Sequence, residues 1–175
     1  MDSNTELLTV VGQKSIPDDE FILDIDYVST CRLGSESGNY YLILGDRKHS
    51  LLEVVVAQYG HYVSGLVLVI FNEFKPWVTP QISMTINKIP VLKSDIDDYK
   101  VLGIGVPFGV STHERDILLS WGPLDDCTAY RSGPVDFLVH DEQLVGAWFK
   151  YLDESCIELF KTQIAVPSEP IFCTP

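Results

Sequence analysis

The run Leu66-Val67-Leu68-Val69-Ile70-Phe71 restricts the fold of this chain more than any other segment. Successive side chains of a β-strand point to opposite faces, so a run that is apolar at every position must be covered on both sides. Segments 50–58 and 62–74 are rich in β-branched and aromatic residues, and Tyr59-Gly60-His61 separates them. The sequence therefore predicts a β-hairpin at the centre of a sheet.

Alternation of apolar and polar residues with a period of two predicts further strands. Segments 21–28 and 40–44 flank the turn-forming cluster 34–39, which predicts a second β-hairpin. Segment 81–87 also alternates, and the prolines on both sides of it favour a short or edge strand. Two more strand candidates follow, at 101–106 and 116–121.

A different period begins at Asp141. The apolar residues from Leu144 to Phe160 are spaced by three and four, and charged residues occupy the opposite face, which predicts an amphipathic helix ending before Pro167. The predicted fold class is α+β, a mainly antiparallel sheet of about seven strands in hairpins with one C-terminal amphipathic helix. Residues 1–175 are predicted to form a single domain whose ends, 1–19 and 166–175, are extended or partly mobile.

The charge of the chain limits its partners. It contains 25 Asp and Glu against 12 Lys and Arg, a formal net charge of -13, yet 46% of its residues are hydrophobic. Acidic chains that stay disordered lack such an apolar fraction, so a folded core is expected. Binding to nucleic acid requires a basic surface, and this chain is predicted to have no direct nucleic-acid contact.

The N-terminus and the cysteines predict a cytoplasmic protein without a membrane segment. Residues 1–6 lack the basic start and apolar stretch of a secretory signal, and the most apolar window, 63–71, is about half as long as a membrane-spanning helix. The four cysteines are scattered without a C-x-x-C pair, which favours free thiols over a zinc site. They are Cys31, Cys127, Cys156 and Cys173.

No motif predicts a cofactor or a metal. Gly103-Ile104-Gly105 is not followed by a helical pattern, as a dinucleotide-binding loop would be. A calcium loop beginning at Asp95 would need a glycine at its sixth position and a glutamate at its twelfth, and neither is present. The four histidines show no metal-ligand spacing, so no catalytic residue, cofactor or metal ligand is predicted.

Clusters of acidic residues recur along the chain, among them the segment 95–98 and Asp125-Asp126. The simplest interpretation is a solvated surface, and a shared role as a negative face for a basic partner is the alternative. Trp77 and Tyr130 lie beside turns, where aromatic side chains often anchor an interface. For Trp121 a core position at a strand end is equally supported, and Trp148 is predicted to face the core.

With these acidic segments, the chain resembles bacterial immunity proteins of the contact-dependent growth inhibition type. The resemblance implies a non-enzymatic cytoplasmic protein that covers the active site of a basic protein toxin, such as a nuclease. The alternatives are a small hydrolase that uses paired carboxylates and an acidic adaptor of another complex. The sequence does not determine the oligomeric state. The predicted contact residues are Asp95, Asp97, Asp98, Asp125, Asp126, Trp77 and Tyr130.

Overall fold

The computed structural model describes residues 5–15, 23–26, 30–33, 40–93 and 101–163. These residues form a short 3-10 helix (Thr5–Leu8), fourteen strands and the helix α1 (Glu154–Gln163). The strands are β1 (Val10–Lys14), β2 (Leu23–Asp26), β3 (Thr30–Leu33), β4 (Tyr40–Leu44), β5 (Leu51–Val56), β6 (Val63–Ile70), β7 (Ile82–Ile86), β8 (Ile89–Leu92), β9 (Val101–Gly103), β10 (Gly109–His113), β11 (Asp116–Ser120), β12 (Cys127–Ser132), β13 (Val135–His140) and β14 (Gln143–Phe149).

Twelve of the strands form two six-stranded sheets. The first has the spatial order β2-β3-β6-β5-β4-β9, and the second has the order β10-β11-β14-β13-β12-β7. Neighbouring strands are antiparallel except at two edges, where β9 runs parallel to β4 and β7 runs parallel to β12. Strands β1 and β8 form a separate two-stranded sheet.

The two sheets pack face to face. A single hydrophobic cluster contains buried side chains of both, including Leu42 and Leu66 from the first sheet and Phe137 and Phe149 from the second. Full burial of one large apolar side chain contributes about 1.5–3 kcal/mol, so the shared cluster is the main source of stability. The α+β class is thereby confirmed, with β-structure dominant.

Helix α1 closes this core through one apolar face. Ile157 and Phe160 are buried in the shared cluster, while Leu159 on the same helix is 42% exposed. The ring of Phe160 stacks on that of Phe71 with centroids 6.4 Å apart, and the edge of Phe74 completes an aromatic group. A helix of ten residues is marginal on its own in water, so this packing holds it in place.

The predicted central hairpin is confirmed, and the other hairpin prediction is wrong. Strands β5 and β6 pair antiparallel in the middle of the first sheet, and β7 lies at an edge of the second sheet as expected. However, β3 pairs with β6 and β4 pairs with β5, so the two strands on either side of segment 34–39 are not neighbours. Turn-forming residues indicate where a strand ends, but they do not determine which strand it pairs with.

The prediction of a helix from Asp141 is also wrong over its first half, because 143–149 is strand β14. Strand β13 pairs with β14 such that Leu138 opposes Gly146 and Val139 opposes Leu144, which leaves Val145 as an extra, bulged residue. The bulge separates the core-facing residues Leu144 and Ala147 by three positions, a step that is typical of a helix. The prediction of about seven strands was too low because strands such as β10 and β12 lie in turn-rich sequence and β14 was predicted as helix.

The ends of the chain are only partly described. Within the predicted N-terminal end, β1 pairs with β8 and carries a bulge between Val10 and Gly12. Residues 166–175 lie outside the described residues. No helix in the described part of the chain is long and apolar enough to cross a membrane.

Candidate functional site

Four carboxylates meet at one end of the three consecutive strands β12, β13 and β14. Asp125 and Asp126 lie in the loop before β12, and Asp141 and Glu142 form the turn between β13 and β14. All four residues are exposed. They are called the acidic tip below, and β12–β14 are called the meander.

His140 joins the two halves of the acidic tip. Its Nδ1 donates a hydrogen bond to the backbone carbonyl of Asp125 at 2.7 Å, and its Nε2 lies 3.3 Å from Oδ2 of Asp141. The ring therefore holds the β13–β14 turn beside the loop before β12. An ion pair between His140 and Asp141 forms when the ring is protonated.

The backbone of the acidic tip is unfavourable for the residues it contains. His140 pairs with Gln143, so Asp141 and Glu142 are the two central residues of the turn, with φ angles of 46° and 63°. Such two-residue turns favour Asn-Gly, because left-handed φ angles are costly for residues with larger side chains. Asp126 has a φ of 49° as well. Acidic residues thus occupy positions where local stability favours others, a pattern that points to function.

Replacing Asp141-Glu142 by Asn-Gly is expected to raise the free energy of unfolding by about 1 kcal/mol, because it relieves the left-handed strain. Urea denaturation of the D141N/E142G variant measures this gain. The control is Glu114→Gly, at another exposed residue with a left-handed φ of 51°. A loss of stability in D141N/E142G, with a gain in the control, would show that the two carboxylates are needed for folding.

The structure places the predicted contact residues on different surfaces. Asp125 and Asp126 belong to the acidic tip, whereas Asp95, Asp97 and Asp98 lie outside the described residues. Tyr130 packs against the core between the sheets, and Trp77 packs against a second hydrophobic cluster with Leu118 and Ala129. Ala129 and Tyr130 are adjacent in β12 and point to opposite faces, so Trp77 and Tyr130 do not share one surface.

The three tryptophans have structural partners. Trp77 is half-buried, donates a hydrogen bond from Nε1 to Oγ1 of Thr79 at 2.9 Å, and packs edge-to-face on Trp148. Trp121 donates from Nε1 to the carbonyl of Leu144 at 2.6 Å and packs against the core, as the core alternative predicted. Trp148 does not face the core between the sheets, because it packs with Trp77 on the outer cluster.

Tyr130 lines a groove that begins at the acidic tip. The groove has a volume of about 410 Å³ and runs between β1 and the edge of the meander. Its walls are Val10, Val11, Gly12, Gln13, Thr128, Tyr130, Val139 and Glu142. The backbone N–H of Val10 donates to the carbonyl of Glu142 at 2.6 Å, so the groove and the tip are held together.

The opposite end of the meander contains a buried carboxylate between two cations. Asp136, whose side chain is only 3% exposed, accepts hydrogen bonds from Nε of Arg131 at 2.8 Å and from Nζ of Lys150 at 2.7 Å. Burial acts to raise the pKa of Asp136, but the hydrogen bonds and positive charges of Arg131 and Lys150 outweigh it, so the pKa is lowered. The sequence pattern did not reveal this cluster.

Nucleophilic and metal chemistry have little support in the described residues. Burial, together with the charges of Asp125 and Asp126, raises the pKa of the Cys127 thiol to about 11, so this thiol is protonated at neutral pH. Cys127 and Cys156 are free thiols, as predicted for them. No group of three or more His, Cys, Asp or Glu side chains in the described ranges has a geometry that could hold a metal ion.

A scan of protein-family models finds no match to this sequence, and no curated protein is significantly similar to it.

Proposed function

We propose that this protein is a cytoplasmic immunity protein, which neutralises a basic toxin by binding over the toxin's active site. The proposal is carried by the acidic tip, where four exposed carboxylates are held together despite the strained backbone beneath three of them. A nuclease toxin has a positive cleft for phosphates, and a fixed cluster of carboxylates is complementary to such a cleft. The formal net charge of -13 supports long-range attraction of a basic partner.

The groove beside the tip supplies the short-range part of the proposed interface. A Lys or Arg side chain has a long apolar stem and a charged end. Val10 and Val11 are placed to pack against such a stem, while Tyr130 offers an aromatic ring and Glu142 a carboxylate at the groove's end. The proposed contact surface therefore includes Tyr130 and excludes Trp77.

The D125N/D126N variant is expected to bind the toxin more slowly, by about threefold or more at low salt, and with a weaker salt dependence. Where the gene neighbourhood of this chain encodes a toxin, the C-terminal module of that toxin is the partner to use, and association rates are measured by stopped-flow fluorescence at several salt concentrations. Neutral Asn keeps the shape of the side chain, and Asn tolerates the left-handed φ of Asp126.

The matched control is E154Q/E158Q, which removes the same charge from exposed positions of α1. Equal slowing in both variants would mean that net charge alone acts, and unchanged rates in D125N/D126N would exclude the acidic tip as the contact surface. The class of protein is tested separately, by co-expressing the chain with that toxin module. Growth arrest that persists despite co-expression would contradict the immunity function.

A further inference from the structure

We propose that the pocket at the opposite end of the meander from the acidic tip binds a small oxyanion, a carboxylate or phosphate group, between Arg131 and Lys150. The pocket has a volume of about 370 Å³. It is lined by Arg131, Gly133, Pro134, Asp136, Lys150 and Tyr151. This site is independent of the toxin-binding function proposed above, because it uses none of the residues of the tip or the groove.

The charges of the cluster do not cancel. Asp136 is a single carboxylate that faces two cations, so one positive charge is left at the wall of the pocket. The carboxylate is buried, whereas the side chains of Arg131 and Lys150 are 46% and 20% exposed. The negative group therefore lies on the protein side and the cations lie on the solvent side, which is the arrangement that an incoming anion requires.

The two cations also retain hydrogen-bond donors. A guanidinium has five N–H groups and an ammonium has three. Asp136 accepts from Nε and Nη2 of Arg131, at 2.8 and 3.0 Å, and from Nζ of Lys150. Within the described part of the chain, no other acceptor is hydrogen-bonded to either side chain, so donors remain for the oxygens of an anion.

The cations are held in place before any anion arrives. The Nζ of Lys150 lies 3.9 Å from the centroid of the Trp148 ring, and the indole Nε1 of Trp148 is in turn fixed by a hydrogen bond to Oδ2 of Asp116 at 3.1 Å. Oδ1 of Asp116 accepts from the backbone N–H of Tyr151 at 2.9 Å, which fixes the chain at the pocket's rim. A preorganised pair of cations loses less conformational entropy on binding than two mobile side chains.

The rim of the pocket leaves room for the group that carries the anion. Gly133 has no side chain and adopts a left-handed φ of 53°, and Tyr151, with a φ of 55°, is 82% exposed. The tyrosine ring therefore stands at the opening without filling it. A left-handed φ is costly for a tyrosine, and the hydrogen bond to Asp116 stabilises this conformation.

The test is a titration of the ¹⁵N-labelled protein with inorganic phosphate and, separately, with acetate at constant ionic strength. We expect saturable shifts of the Arg131 Nε–H and of the Gly133 and Tyr151 amides, with a Kd on the order of millimolar. Saturation by phosphate alone assigns a phosphate group, saturation by acetate alone assigns a carboxylate, and either result supports the site. Linear shifts with both anions would overturn the proposal.

Two single variants identify the cations, K150M and R131Q. Each leaves Asp136 with one cationic partner, so the buried carboxylate keeps a counter-charge, and each is expected to weaken anion binding about tenfold or more. The control is K75M, which removes an exposed lysine that is paired with Glu73 and does not line this pocket. An equal loss of anion affinity in K75M, or no loss in K150M and R131Q, would overturn the assignment.

Discussion

Replacing Phe160 by Ala is expected to lower the free energy of unfolding by about 3–5 kcal/mol, the largest effect of any substitution considered for this protein. The side chain of Phe160 is fully buried and contacts the rings of Phe71 and Phe74, so its removal leaves a cavity in the core. Because α1 has ten residues, it is also expected to detach when this contact is lost. Urea denaturation measures the loss, and limited proteolysis within 154–163 detects the detachment.

The matched control is Leu159→Ala in the same helix, where the side chain is 42% exposed. It removes a large apolar side chain without opening a cavity and is expected to change the stability by much less than Phe160→Ala. Comparable losses in the two variants would show that α1 does not pack on the core through the Phe160 face.

Replacing Asp136 by Asn is expected to cost about 2–4 kcal/mol of stability at neutral pH. The substitution keeps the size of the side chain but removes the charge that accepts hydrogen bonds from Arg131 and Lys150. The control is Asp141→Asn, because Asp141 is 92% exposed and its substitution should leave the stability almost unchanged. An unchanged free energy of unfolding in Asp136→Asn would contradict the view that this cluster holds the end of the meander together.

The difference in stability between the natural sequence and Asp136→Asn is expected to depend on pH. The pKa of Asp136 is lowered in the folded state, so its contribution is fully present above the unfolded pKa of about 3.9 and is lost as the pH falls through the lower folded value. The stability difference between the natural sequence and Asp136→Asn should therefore be constant above about pH 5 and narrow below about pH 4. A difference that grows with acidity would contradict this assignment.

The sequence revealed those parts of the fold in which one residue pattern has one structural meaning. The continuous apolar run at Leu66–Phe71 predicts a central strand, and 66–70 does lie in the central hairpin β5–β6. The predicted cover on both faces is incomplete, because Val67 and Val69 are only half-buried. The spacing of apolar residues by three and four from 141 to 163 fits both a bulged strand and a helix. A bulge at Val145 creates a three-residue step in a strand, and α1 then continues the same spacing, so periodicity alone could not separate the two elements.

The candidate site also contains residues that could be predicted from the sequence and residues that could not. Asp125 and Asp126 could be found because adjacent acids in a turn-rich segment are visible in the sequence. The sequence pattern predicts Asp141 and Glu142 as the start of a helix, although two polar residues between apolar runs also mark a two-residue turn. The cluster around Asp136 could not be found, since Lys150 follows directly after β14 and meets Asp136 only once the meander has formed.

The two parallel edge strands affect the order in which the chain can assemble during synthesis. Strand β7 precedes β9 in the chain, yet β7 joins the second sheet and β9 joins the first. The first sheet is complete only when Val101 of β9 pairs with Tyr41 of β4, and in the second sheet β7 has no neighbour until Cys127 of β12 pairs with Ile82. Such distant pairings close late and slowly. We therefore expect the two sheets to fold cooperatively, because each of them pairs strands that lie far apart in the chain.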